Sequence, residues 1–202
     1  MFRSLITATF ATAVLVAGAS VASADPGDYY ADGYTSLARG TGTVSASTAA
    51  DAYGRMTVDS EATGGSKRGL LGSQTRLSSA YSLAYVSDVV VGNQGGNGRY
   101  RVTITYSGAY ASEVARGSGQ ARGTAVATVF IDDAAVGYAS AELTSSSRQV
   151  VLTIEFTENF AGTPEVAVQA EVNARAEAKG KGNSADTQAH ADAVTFTLTK
   201  IG

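Results

Sequence analysis

The chain has no cysteine and no tryptophan, and only two prolines, two methionines and one histidine in 202 residues. Without thiols there is no disulfide framework, no zinc ribbon and no cysteine nucleophile. A single histidine leaves little room for a histidine-based metal centre or a catalytic triad, and no Gly-x-Ser-x-Gly elbow accompanies it. Charge is sparse and scattered: 15 Lys and Arg against 18 Asp and Glu. No basic stripe is available to release counterions from a phosphate backbone, so nucleic acid is not expected as a partner.

The first residues form a processing signal. Arg3 precedes an apolar run from Leu5 to Ala17, and Ala22-Ser23-Ala24 gives a small-x-small recognition sequence before Asp25. This predicts a signal peptide over 1–24, recognised through Ala22 and Ala24 and cut after Ala24. The run falls short of the roughly 20 apolar residues that span a bilayer, so no membrane anchor is expected after cleavage. The predicted destination is secreted or extracellular, or periplasmic where the host has an outer membrane. Losing Arg3 leaves 14 basic and 18 acidic residues, a net charge of −4.

What the chain does have is alternation. Tyr100, Val102, Ile104, Tyr106 and Tyr110 share one parity against Arg99, Arg101, Thr103, Thr105 and Ser107. Val150, Leu152, Ile154 and Phe156 repeat the pattern. Period two over β-branched and aromatic residues predicts half-buried strands. Residues 165–200 test the rule, because their Ala, Glu, Arg and Lys favour helix by propensity. Yet Val166, Val168, Ala170, Val172, Ala174, Ala176 and Ala178 fall on even positions and polar residues between them. A helical stripe would be broken by charges. Strands over 165–179 and 185–200 are predicted, joined as a long hairpin through Gly-Lys-Gly-Asn-Ser. Apolar parity flips in the second strand, which predicts a one-residue bulge near Ala193.

Elsewhere the same reading predicts a strand pair holding Met56 and Val58 inward, and a hairpin turning at Asp132-Asp133. A long strand is expected with Leu77, Tyr81, Leu83, Tyr85, Val89 and Val91 on one face, and loops over 63–74, 92–98 and 158–164. Phe130, Phe156, Phe196 and the tyrosines of the inward faces are the expected large core side chains, set opposite alanine. The predicted fold is all-β: an antiparallel β-sandwich, jelly-roll-like, of about eight to ten strands with little or no helix. It occupies 41–202 as one domain, behind a mobile Tyr-rich leader at 25–40.

Reactive groups are few. His190 shares parity with Asp186, Gln188 and Asp192, which predicts a solvated strand face; residues two apart on a strand lie about 7 Å apart, too far to close a metal site alone. Glu155, Glu158, Glu165, Glu171 and Glu177 read as outward residues, and no pair of them marks a glycosidase cleft. Asp25, Asp28 and Asp32 could chelate calcium with backbone carbonyls, although their spacing does not match a calcium loop, and Asp132-Asp133 could do so as well. No metal, cofactor or catalytic residue is therefore assigned. Gly-Asn-Gln-Gly-Gly-Asn-Gly lacks the lysine of a phosphate loop. The aromatics left outside a core parity, Tyr29, Tyr30, Tyr34, Tyr53 and Tyr138, are candidates for a sugar platform. The function expected is non-catalytic surface contact, as an extracellular binding, adhesion or matrix component with a polysaccharide or cell-surface ligand. The alternatives are a self-assembling filament subunit that adds residues 25–40 as a strand, and a glycan hydrolase with unplaced carboxylates.

Overall fold

The computed structural model describes residues 22–23, 29–37, 43–51, 54–69 and 72–202. Most of the described residues lie in strands, and there is no helix among them. The strands are β1 (Ala22–Ser23), β2 (Tyr29–Leu37), β3 (Val44–Ala50), β4 (Met56–Thr63), β5 (Gly65–Gly69), β6 (Gly72–Val91) and β7 (Gly96–Ser107). They continue as β8 (Tyr110–Arg116), β9 (Gln120–Ile131), β10 (Ala134–Leu143), β11 (Gln149–Phe160), β12 (Glu165–Lys179), β13 (Ser184–Ala191) and β14 (Ala193–Lys200). The signal segment falls almost wholly outside the described residues, including Ala24 and the expected cut; Tyr53 also lies outside them. Within the expected leader, Tyr29–Leu37 forms β2, an edge strand along β6.

Every pairing is antiparallel. One sheet runs β10-β9-β12-β6-β2, with β5 folded back on the start of β6, so that part of the loop expected over 63–74 is a short hairpin. Two further sheets run β3-β4-β13-β8 and β1-β14-β7-β11. They are halves of one layer, since β7 leads directly into β8 and β13 into β14. The pairs His190↔Tyr110 and Ala193↔Ser107 keep a single register across that joint. The two layers thus contain β4-β13/β14-β8/β7-β11 and β6-β12-β9-β10, the paired four-stranded order of a jelly roll.

That shared register corrects the expected bulge. Burial does switch parity, from Ala191 to Val194, but the neighbouring strand switches at the same level, from Tyr106 to Ala109. No residue is inserted: both strands reverse faces together, held by the Asp192 N–H donating to the Ser107 carbonyl at 2.9 Å. Gly108 makes the reversal possible, with φ +63 and the Asp192 carboxylate packed where a Cβ would stand.

The expected hairpin over 165–200 is also corrected. β12 pairs with β6 and β9 in one layer, whereas β13 pairs with β4 and β8 in the other. The turn at Gly180–Asn183, with Gly180 at φ +85 and Gly182 at φ +87, carries the chain across the sandwich. Apolar faces lie as expected: Val166 through Ala178 on even positions of β12, and Ala185, Ala189 and Ala191 on β13, are buried. Those faces meet through the core. Alternation marks a buried face and is silent on whether the next strand lies beside it or above it.

β6 departs most from expectation. Its buried residues are Ser78, Ala80, Ser82, Ala84, Val86 and Val90, so Leu77, Tyr81, Leu83, Tyr85, Val89 and Val91 face outward. Phe130 likewise sits half-buried on the outer side of β9. The interior accepts small residues here because it tapers. At the wide end Tyr100, Tyr106, Ile104, Phe196 and Met56 fill the space between layers. At the narrow end a separate cluster consists of Ala62, Ala176, Ala178 and Ala185. There the layers stand close enough for hydroxyls to reach the opposite backbone. Ser60 donates to the Ala174 carbonyl at 3.0 Å, and Thr187 to the Arg175 carbonyl at 2.8 Å. The β9–β10 hairpin turns at Asp132 (φ +49) and Asp133 (φ +65), both left-handed, as a two-residue type I′ turn requires.

Candidate functional site

The outer face of the β10-β9-β12-β6-β2 sheet is unlike an ordinary wet face. Register arranges it in rows. Tyr81, Arg175 and Arg122 are Cα partners across β6, β12 and β9; Leu83, Asn173, Thr124 and Glu142 form the next row, reaching β10. Tyr85, Glu171 and Val126 follow, then Gln169, Thr128 and Tyr138. On the edge strand β2, Tyr34 pairs with Tyr81 and Tyr30 with Tyr85 in the Cα register.

Tyr81, Arg122, Thr124, Asn173 and Arg175 line a depression of about 180 Å³ in this face. Asn173 is 8% exposed, and its Oδ1 accepts no hydrogen bond within the described residues. Next to it on the same face of β12, Glu171 accepts from Gln169 Nε2 at 2.7 Å. Burial pushes the Glu171 carboxyl above the usual glutamate range, with the neighbouring Asn173 and Gln169 amides opposing. Arg175 places Nε (3.2 Å) and Nη2 (2.6 Å) on Glu177 Oε1, and Arg122 Nε stands 3.6 Å from Glu142 Oε1. Tyr81 is held above the ordinary tyrosine range by burial first and by Glu171 second, with Arg175 opposing.

Beneath the face, two hydroxyls from the other layer reach the β9–β12 ladder. Thr187 accepts from the Arg122 N–H at 3.0 Å and donates to the Arg175 carbonyl. Tyr106 donates to the Val126 carbonyl, in the Cα row of Glu171, and burial drives its hydroxyl far above the usual tyrosine range.

Other candidates lie apart. His190 is less solvated than expected, 16% exposed, because Thr57 and Tyr110 flank it on β4 and β8. Its Nδ1 meets Thr57 Oγ1 at 2.9 Å, its Nε2 meets Asp192 Oδ1 at 2.8 Å, and the Tyr110 ring lies 5.4 Å away. That hydrogen bond holds the Asp192 carboxyl below its usual range. Asp186 and Gln188 stay exposed on the same strand. Asp59 is raised by burial and by the neighbouring Asp186 and Glu61, but no group of three or more His, Asp or Glu side chains is arranged for a metal among the described residues.

Glu155 is tied to Arg99 (2.7 Å) and Arg101 (2.6 Å), Glu158 accepts from the Asn159 N–H at 2.8 Å, and Glu165 is exposed at the start of β12. The candidate glutamates form no cleft. Two others, Glu113 and Glu142, line a second depression of about 430 Å³ with Ser112, Leu143, Thr144 and Ser145. Glu113 is engaged there by the Gly123 N–H at 2.7 Å. Of the tyrosines singled out in the sequence, Tyr138 is 75% exposed. Tyr81 and Asn173 went unrecognised, the first because its strand was read with the wrong face inward. The signal available was the odd-position run Gln169, Glu171, Asn173, Arg175, Glu177, whose side chains hydrogen-bond along the strand.

No family model matches the chain, and no curated protein matches it. Among solved structures it is similar to a family 61 carbohydrate-binding module in complex with β-1,4-galactotriose: TM-score 0.35, 12% identity, covering 88% of this chain and 92% of that one. A family 4 module gives TM-score 0.34 at 10% identity over 89% and 99%. The family 11 module of a cellulosomal cellulase of Clostridium thermocellum gives 0.27 at 11% over 93% and 99%. Likeness of this degree transfers no ligand and no site.

Proposed function

We propose that the protein is an exported, non-catalytic binding module that holds an extracellular polysaccharide along the outer face of its β10-β9-β12-β6-β2 sheet. The observation that carries this reading is the pairing of exposed rings with hydrogen-bonding side chains on one face. Tyr81 stands at one corner and Tyr138 at another, with Asn173, Thr124, Gln169 and both arginines between them. The two rings are three rows apart, about 20 Å along the strands and roughly 15 Å across them. A polymer spans that distance and a monosaccharide does not. Aromatic rings cover the apolar faces of sugars while amides and guanidinium groups take the hydroxyls. Electrophoresis of the intact protein in gels cast with soluble polysaccharides tests the reading. Retardation by at least one polymer, reduced in Tyr81→Ala and Tyr138→Ala, is expected. Migration unaffected by every polymer, or retardation that both variants retain in full, would refute it.

A filament subunit is the second reading, favoured by one observation: β2 runs antiparallel along β6 at the sheet edge, the pairing that an added strand from a neighbouring copy would use. Deleting 25–40 and following light scattering decides it, since assemblies that survive the deletion exclude this mechanism.

A further inference from the structure

The depression between β9 and β12 has a donor and acceptor arrangement that selects a ligand chemistry. Asn173 lines it, with Tyr81, Arg122, Thr124 and Arg175 around it. Its side chain is nine-tenths buried, and its Oδ1 lacks a protein donor among the described residues. A buried acceptor left empty is costly, and native structures rarely keep one without a partner.

Flanking it, Arg122 and Arg175 face each other across the ladder. Each carries five N–H donors. Arg175 commits two of its groups to Glu177, and Arg122 meets Glu142 only at ion-pair distance. Free donors therefore remain, but free positive charge does not: Glu142, Glu177 and Glu171 outnumber the two guanidinium groups on this patch. An anionic ligand would meet glutamates already seated on the arginines. A neutral group that both donates and accepts fits every atom.

We infer that the depression is a subsite for a neutral sugar residue, whose adjacent hydroxyls donate to Asn173 Oδ1 and accept from Arg122 and Arg175 while its ring packs on Tyr81. This inference rests on the polysaccharide reading and narrows it. The volume, well below the 300 Å³ at which pockets for drug-sized molecules begin, suits a single ring of a longer chain.

The test compares neutral polymers (mixed-linkage β-glucan, galactan, mannan, xylan) with acidic ones (polygalacturonate, alginate) in affinity gels and by calorimetry. A neutral polymer is expected to bind, with affinity unchanged between 50 and roughly 500 mM salt because no net charge is used. Asn173→Leu keeps similar bulk without the acceptor, and it is expected to weaken binding at least tenfold, about 1.4 kcal/mol. If Asn173→Leu does not fold, Tyr81→Ala at the exposed wall carries the same tenfold expectation. Salt-sensitive preference for polygalacturonate, or full affinity in both Asn173→Leu and Tyr81→Ala, overturns the subsite while leaving a binding face elsewhere on the sheet. Failure of every polymer to bind the unaltered protein overturns the larger reading with it.

Discussion

Replacing Thr187 by valine removes one oxygen and almost no volume, which makes it a clean probe of how the layers are joined. Thr187 is fully buried on β13, and its hydroxyl accepts from the Arg122 N–H at 3.0 Å and donates to the Arg175 carbonyl at 2.8 Å. Two buried hydrogen bonds are worth about 1 kcal/mol each. The larger cost is the amide and carbonyl left facing a methyl group, about 1–3 kcal/mol for a buried group without a partner. Some of that is recovered if the Arg122–Arg175 ladder pair tightens, so Thr187→Val is expected to cost roughly 2–4 kcal/mol. Thr187→Ser supplies the control, keeping the hydroxyl and deleting a methyl, for about 1 kcal/mol. Urea titration followed by far-ultraviolet circular dichroism would read both, with equal m-values required for the comparison. The valine variant should be the weaker by at least about 1 kcal/mol. Should the serine variant prove equal or weaker, the narrow end is held by packing, and the bridging hydroxyl is incidental.

Three further outcomes follow from the same geometry. Gly108→Ala forces a side chain to φ +63 against the Asp192 carboxylate, and a loss of about 1–2 kcal/mol in thermal or chemical unfolding is expected; no loss would mean that the strand joint adapts freely. Glu171 has its carboxyl raised by burial, so the folded protein holds that proton more tightly than the unfolded chain. Its contribution is complete below the ordinary glutamate value and is lost as pH rises through the raised one; melting temperatures should fall over that window in the parent and stay flatter in Glu171→Gln, and parallel profiles would contradict the assignment. Asp133→Gly relieves a left-handed non-glycine residue in the type I′ turn, and a gain of up to about 1 kcal/mol is expected, with a lowered melting temperature counting against the turn assignment.

Alternation made the all-β class and the inward faces of β4, β7, β11 and β12 readable from sequence, because a buried sheet face must be apolar whatever covers it. Layer assignment was not readable. β12 and β13 each show a small apolar face, and nothing local distinguishes strands that share an edge from strands that share a core. β6 misled for a physical reason: hydrophobicity ranks tyrosine and leucine above serine and alanine, yet the tapered interior has room only for the small set. Ser60 and Ser82 are fully buried because their hydroxyls, 2.8 Å apart, share their two protons between each other and the Ala174 and Asp59 carbonyls across the narrow gap. The Tyr81 depression was invisible for the same cause, since assigning the ring to the core removed it from the surface. Its other walls, Arg122 and Arg175, are 53 positions apart in sequence and meet only through the β9–β12 register.

That register also explains why the depression sits where it does. The row containing Asn173 and Thr124 is bracketed by Glu171/Val126 on one side and Arg175/Arg122 on the other. Both bracketing rows are the ones bonded from below, by Tyr106 and by Thr187. Tyr106 spans the wide part of the taper by the length of its ring, and Thr187 spans the narrow part because alanines let the layers approach. The backbone under Asn173 is thus fixed at both ends by the opposite layer, on the two central strands of the sheet. A side chain held this way gives up little freedom when a ligand arrives, and binding is strengthened by that pre-organisation. Thr187→Val should therefore lower polysaccharide affinity as well as stability, although Thr187 lies on the far side of the sheet from any ligand. An affinity unchanged in a folded Thr187→Val protein would separate the two roles and leave the bridges purely structural.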